Sequence, residues 1–314
     1  MVTKNKVPSP HQSRIDYFQS HCGGRICARY WHTDAGPPYA LVFICHGVSE
    51  HSGVYEELGQ KFAAKRILAF SHDHKGHGRS HGIRLMAASI DDYIPDILDH
   101  IKILRKTHDS IPLFIVAHSM GGMIAIRMMI KFPDVFQGVV LVGPAIIPGP
   151  QLGPFDLRQS LICSLPFKLV FGVLDWIDSE MPLGAFHPDM ITRDKEAQEE
   201  LKHDVLRYNF GPKVRILRTL IHGFSDNLSQ LNQVNTPFLI LHGDCDFLCN
   251  VRGSRLLLKE SCSKDKALIE FEGATHNLYI ETPDVRQLAF SRTVDWVLQR
   301  VPFKWNHHGQ PLPE

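Results

Sequence analysis

The chain has 314 residues, 44% of them hydrophobic and 21% charged, with a formal net charge of +1. That size and apolar content suit one large core in a single domain, and interspersed charges of both signs give no basis for nucleic-acid binding. Seven cysteines, an odd number, together with an N-terminus MVTKNKVPSPHQSRIDYF that has no apolar run, argue against a secreted disulfide framework and for a reducing, cytoplasmic setting.

In chain order, residues 1–20 carry no motif and are expected to be poorly ordered. Strand-like apolar segments follow near residues 25–31, 40–45, 67–72, 112–117, 138–143, 237–242 and 267–272, with helical patterns between most of them. This alternation predicts an α/β fold over residues 21–304, with a mainly parallel sheet and helices on both faces. Loops at the strand ends on one edge of such a sheet are where ligands sit. The tail from Trp305 carries no motif.

The first informative loop, His46-Gly47-Val48, closes the 40–45 segment and reads as a shortened HGGG-type loop, with the Val48 amide as a candidate oxyanion donor. The run HDHKGHG, His72 to Gly78, has metal-binding residue types, but further ligands are not evident and it reads as a turn. Next comes PLFIVAHSMGGMIAIRMM, Pro112 to Met129, which passes from an apolar strand through a tight turn into a helical pattern. With Ser119 at its apex this is a nucleophile elbow, and Met120 would supply the second oxyanion donor. Ala117 replaces the first glycine of G-x-S-x-G. A serine that merely caps the helix is the plainer alternative, though it leaves Gly121-Gly122 unexplained.

Residues of about 145–235 break the rhythm and read as a cap inserted into the sheet. Pro-Gly punctuation at 148–154 is followed by an apolar stretch from Leu157 to Ile177 and a charged helical stretch around 192–208. Arg158, Lys168, Asp175 and Pro166 interrupt the apolar stretch, which disfavours a membrane span. Two readings remain: a helix packed on the body, or the wall of an acyl tunnel that docks on a membrane.

Beyond the cap, TPFLILHGDCDFLC brings Asp246 to the end of a buried strand, with Asp244 as the competing turn aspartate. Cys245 and Cys249 flank Asp246 but lack a second pair at zinc spacing. Finally, IEFEGATHNLYIETPDV places His276 after a Gly-Ala turn. The order Ser119, Asp246, His276 is that of α/β hydrolases, and neither chymotrypsin nor subtilisin shares it.

The segments HGVSEHSGVYEELGQ, FSHDHKGHGRSHG, AHSMGGMIAI, LHGDCDFLC and EGATHNLYIETPDV together resemble the monoacylglycerol lipase family of the α/β-hydrolase superfamily, over roughly residues 20 to 300. The resemblance implies hydrolysis of a monoacylglycerol to fatty acid and glycerol, with Ser119, Asp246 and His276 as triad and no cofactor or metal. It also implies substrate contacts at Glu50 and His51, with His118 counted beside them, a free thiol at Cys249 near the site, and peripheral association with membranes. Val54 and Tyr279 depart from the pattern, standing where vertebrate members carry an arginine and a second histidine. A lysophospholipase, a broad carboxylesterase, a peptidase and a non-catalytic lipid- or protein-binding fold are the alternatives.

Overall fold

The computed structural model describes residues 13–33, 35–149, 165–184 and 187–302. The strands are β1 (Arg14–Gln19), β2 (Arg25–Trp31), β3 (Ala40–Cys45), β4 (Ile67–His72), β5 (Leu113–His118), β6 (Gly138–Val142), β7 (Phe238–Gly243) and β8 (Lys266–Phe271). They form one sheet in the order β1-β2-β4-β3-β5-β6-β7-β8. β4 through β8 pair in parallel by way of β3, while β1 and β2 add two antiparallel pairings at one edge.

The five central strands are buried at every position, as befits parallel strands covered on both faces. Alternate side chains nevertheless serve two cores. Leu41, Phe43, Cys45 and Ile115 point into one, beneath α2 (Ile94–Arg105), α3 (Met120–Lys131) and α8 (Val251–Glu260). Ala40, Val42, Ile44 and Val116 point into the other, beneath α1 (Glu56–Ala63) and α9 (Pro283–Leu298). Between β6 and β7 lie α4 (Leu165–Ile177), α5 (Pro188–Ile191), α6 (Lys195–His203) and α7 (Val214–Leu228).

One boundary differs from expectation. The ordered sheet begins at Arg14, within the stretch expected to be poorly ordered, because β1 pairs with β2 from Arg14↔Tyr30 to Gln19↔Arg25. Its side chains are mostly exposed, so no buried face marks it in the sequence, and the hairpin turns on Gly23 and Gly24, both at positive φ. Residues 1–12, the tail from 303 and the first part of the apolar stretch, 157–164, lie outside the described residues.

The HDHKGHG segment folds into a packed cluster of rings. The His72 and His100 Nδ1 atoms are 3.1 Å apart, the His46 and His74 ring centroids 4.2 Å apart, and His100 Nε2 meets the Tyr30 hydroxyl at 3.0 Å. Burial disfavours the charged imidazoles, lowering His46, holding His72 and His74 well below the usual range, and bringing His77 and His100 to about 3. In the unfolded chain these groups bind protons near the ordinary imidazole value of 6.5. Between pH 6.5 and about 3 the unfolded state therefore holds more protons, and the native state loses stability as pH falls. Urea denaturation followed from pH 7.5 to 5 is expected to show a falling midpoint, and His100→Asn should reduce that slope by about one proton. A midpoint flat across this range would contradict the account.

Candidate active site

Ser119 sits between β5 and α3 with φ 54° and ψ −117°. A non-glycine residue in that region is strained, and the surroundings hold it there. Its N–H donates to the Val142 carbonyl at 3.1 Å, and its own carbonyl accepts from Met123 and Ala145 at 3.2 and 3.0 Å. Gly121 is obligatory in the next turn, since a Cβ there would lie 2.2 Å from the Cys45 carbonyl oxygen. Ala117 is fully buried between Cys45 and Leu141 of the flanking strands, so the methyl that departs from the usual motif is accommodated.

His276 and Asp246 meet with His276 Nδ1 2.7 Å from Asp246 Oδ2. The other oxygen, Oδ1, accepts from the backbone N–H groups of Leu248 and Cys249 at 2.8 and 2.9 Å. A third residue, His242 on β7, brings Nε2 to 3.2 Å from Asp246 Oδ2, while its Nδ1 lies 2.7 Å from the Ser254 hydroxyl. Burial alone would raise the Asp246 pKa, but His276 and then His242 outweigh it and hold the carboxyl far below its ordinary value. Asp244 instead accepts from the Gly273 N–H at 2.6 Å and belongs to the turn.

Across the site lies a second buried carboxylate, Glu50. Its Oε2 accepts from Gly47 N–H at 2.9 Å, Tyr55 O–H at 2.8 Å and His118 Nδ1 at 3.0 Å, and its Oε1 accepts from Asn277 Nδ2 at 3.0 Å. Burial opposes the charge, yet His118, Arg207 and the Gly47 N–H keep Glu50 well below the usual carboxylate range. These bonds fix the loop of Val48. His46 helps: its Nε2 accepts from the His74 N–H at 2.9 Å, so its Nδ1 carries the proton donated to the Gly47 carbonyl at 2.8 Å.

Val48, Glu50, His118, Ser119, Met120, Cys249 and His276 line one cavity of about 160 Å³. Met120 opens α3, where N–H groups have no acceptor within the helix. The rest of the lining is mostly apolar, including Phe171 of α4 and Leu217, Leu220, Ile221 and Phe224 of α7. Burial and the neighbouring Asp246 push the Cys249 thiol well above its ordinary pKa. Asp246, Cys249 and His276 present atoms within 4.8 Å of one another, but hydrogen bonds within the protein already engage both Asp246 oxygens and His276 Nδ1, which leaves the cluster ill suited to a metal.

His51, expected among the substrate contacts, does not line the cavity. Its Nε2 lies 2.8 Å from Asp204 Oδ2 and ties the body to the α6–α7 loop, while its Nδ1 accepts from the Gly53 N–H at 3.1 Å and caps the local turn. Tyr279 is likewise committed elsewhere, stacked on Phe290 with its hydroxyl 2.8 Å from Thr293 Oγ1, and Val54 packs against the core beneath α1. His242, Asn277 and Arg207 have no mark in the sequence that singles them out, although His242 falls inside the LHGDCDFLC segment.

A serine in a strained strand-to-helix turn, on a largely parallel sheet with an Asp-His pair beyond it, defines the α/β hydrolases, and this protein is a serine hydrolase of that superfamily. The profile of the family described as serine aminopeptidase, S33 (Hydrolase_4), matches residues 36–283, and the chain belongs to that family and to the monoglyceride lipases within it. It is 34% identical to the monoglyceride lipase of Homo sapiens over 293 residues, 93% of this chain and 92% of the relative. It is 29% identical to the monoacylglycerol lipase of Mycolicibacterium smegmatis, over 92% of this chain and 99% of that one. A solved structure of a soluble variant of Saccharomyces cerevisiae monoglyceride lipase shares the fold, with TM-score 0.80, 19% identity and coverage of 96% of this chain and 99% of that one.

Removing the Glu50 carboxylate would strand four donors in a buried site. Glu50→Ala is expected to cost about 3–5 kcal/mol of stability by chemical denaturation, and a loss below about 1 kcal/mol would show the donors to be satisfied otherwise.

Proposed function

We propose that this protein hydrolyses monoacylglycerols to fatty acid and glycerol through an acyl-enzyme on Ser119. The observation that carries the reading is the junction of an apolar cavity with Ser119, His276 and the saturated Asp246 carboxylate. Asp246 holds the His276 ring with Nδ1 protonated, which leaves Nε2 as the base for the Ser119 hydroxyl. As Ser119 Oγ attacks the ester carbonyl, the oxygen takes up charge between the Val48 and Met120 amides, each worth about 2.7–4 kcal/mol of barrier. His276 returns the proton to the departing glycerol oxygen. A water, deprotonated by the same imidazole, then opens the acyl-enzyme and releases the fatty acid.

The segment between β6 and β7 acts in this reading as a cap that walls the acyl chain and touches the membrane. Each methylene taken from water gains about 0.8 kcal/mol, which the apolar residues of α4 and α7 would supply. Leu169, Val170, Val173, Trp176 and Ile177 of α4 are exposed, Trp176 at 87%. No helix among the described residues is long and apolar enough to cross a membrane, so the contact proposed is peripheral, with these side chains entering the interface.

Three outcomes test the proposal. Ser119→Ala should fold normally and lose turnover of a long-chain monoacylglycerol, while the wild type should prefer that ester to the matching lysophospholipid and to a short soluble ester; retained activity in the variant would remove Ser119 from the mechanism. Trp176→Ser is expected to weaken sedimentation with phospholipid vesicles about tenfold, in line with the roughly 1.5–3 kcal/mol of burying a large apolar side chain. Unchanged vesicle binding would exclude this face. With a bulky thiol reagent, Cys249 should react more slowly than the exposed Cys22, Cys245 and Cys262, and inhibition should accompany the slow phase alone; identical inhibition of Cys249→Ala would reject the site.

A further inference from the structure

At the polar end of the cavity two buried groups lack hydrogen-bond partners among the described residues: His118 Nε2 and Arg207 Nη1. Both side chains are at least nine-tenths buried, at 2% and 5% exposure. Both converge on Glu50, His118 through Nδ1 at 3.0 Å from Oε2 and Arg207 through Nη1 at 3.9 Å from Oε1. The first distance is a hydrogen bond; the second is an ion pair too long to be one. An unpaired buried polar atom costs about 1–3 kcal/mol, and a cavity lined by two of them is completed by a ligand that pairs both.

The types of the two groups define that ligand. Glu50 takes the Nδ1 hydrogen of His118, which leaves Nε2 as the ring nitrogen without a partner. Arg207 offers only N–H donors. Two unpartnered nitrogens around one carboxylate suit hydroxyl groups, which both give and accept a hydrogen bond. Charge narrows the choice further. The Arg207 guanidinium is balanced by Glu50, whose carboxylate would face an incoming phosphate in the same enclosed space. Uncharged polyol fits this balance and a phosphate does not.

Arg207 is not held by the cavity alone. Its backbone N–H donates to the Asp204 carbonyl at 3.2 Å, and the Asp204 carboxylate binds His51 at 2.8 Å. The α6–α7 loop thus delivers the guanidinium to the site and is fastened to the body one turn earlier.

We propose that Arg207 determines head-group specificity: its Nη1 donates to a hydroxyl oxygen on the alcohol half of the ester while His118 Nε2 pairs with a hydroxyl, selecting uncharged diol esters over esters of simple alcohols and of phosphorylated glycerol. This rests on the monoacylglycerol reading and goes beyond it by assigning the selecting residue. A site built to bond a substrate hydroxyl discriminates strongly against the analogue that lacks it.

The test compares kcat/KM for oleoyl esters of glycerol, of propan-1-ol and of glycerol phosphate in the wild type, Arg207→Met and Arg207→Lys. The wild type is expected to favour the glycerol ester over the propyl ester by about tenfold or more. Arg207→Met should reduce that ratio about tenfold, mainly through KM, and Arg207→Lys should restore part of it. Equal use of glycerol and propyl esters by the wild type would overturn the inference without any variant having to fold, and would leave ester hydrolysis standing. A ratio unchanged in Arg207→Met, or preference for the phosphorylated ester, would overturn the role of Arg207. Turnover of the propyl ester with none of the glycerol ester would instead defeat the substrate reading itself.

Discussion

The buried Glu50 carboxylate is the constraint on which the arrangement of the site depends. Four donors come to it from separate parts of the chain: Gly47 from the loop after β3, Tyr55 from the turn before α1, His118 from the end of β5 and Asn277 from the loop that carries His276. Gly47, His118 and Asn277 each adjoin a component of the site, Val48, Ser119 and His276 in turn, while Tyr55 stands before α1. A charge taken out of water is costly unless it is paired and fully hydrogen-bonded. That cost makes the geometry cooperative, because an error in any one loop would leave the carboxylate short of a partner and the others misplaced. The nearby Asp246 follows the same logic on the opposite side, with two backbone amides on one oxygen and two imidazoles on the other.

Between these carboxylates the backbone stores strain at Ser119, whose φ of 54° is paid for by the parallel strands around it. β5 is clamped between β3 and β6 along its length. The carbonyl of Val142 and the N–H of Ala145, both from the β6 end, then fix the serine itself. The tight packing that forbids a side chain at Gly121 also brings the start of α3 against the Cys45 carbonyl. The loops of Val48 and Met120 are thereby held close together without a contact between their own side chains being required.

Legibility in the sequence follows burial. The central strands were readable because a strand covered on both faces must be apolar at every position, as ALVFIC, LFIVAH and GVVLV are. β1, exposed along most of its length, gives no such signal. Among the site residues, Ser119, Asp246 and His276 stand in loops with a recognisable local grammar. His242 and Arg207 do not, since a histidine inside a strand and an arginine in a polar loop acquire meaning only from what the fold puts beside them. His51 illustrates the converse: the family resemblance implies a substrate contact there, but the side chain faces Asp204 on another element.

The segment between β6 and β7 is divided by the way it is attached. Its second half is stitched to the body: Asn277 N–H donates to the Ile191 carbonyl at 2.9 Å, Thr192 Oγ1 to the Ile280 carbonyl at 2.7 Å, and Arg193 Nε to the buried Glu281 at 3.1 Å. Glu281 in turn accepts from both the N–H and the hydroxyl of Thr275, the neighbour of His276. The α5–α6 region and the histidine loop therefore share one hydrogen-bond network. α4 is fastened differently, to α7 through Asp175 with Arg215 and Arg218 and through Lys168 with Ser225, and it leaves Leu169, Val170, Val173, Trp176 and Ile177 exposed. An exposed apolar face and an anchorage on α7 make α4 the more readily opened half, whereas the stitched half resists opening. Any movement that admits a long acyl chain should then occur in α4, while Arg207 and the loop it occupies remain in register with His276.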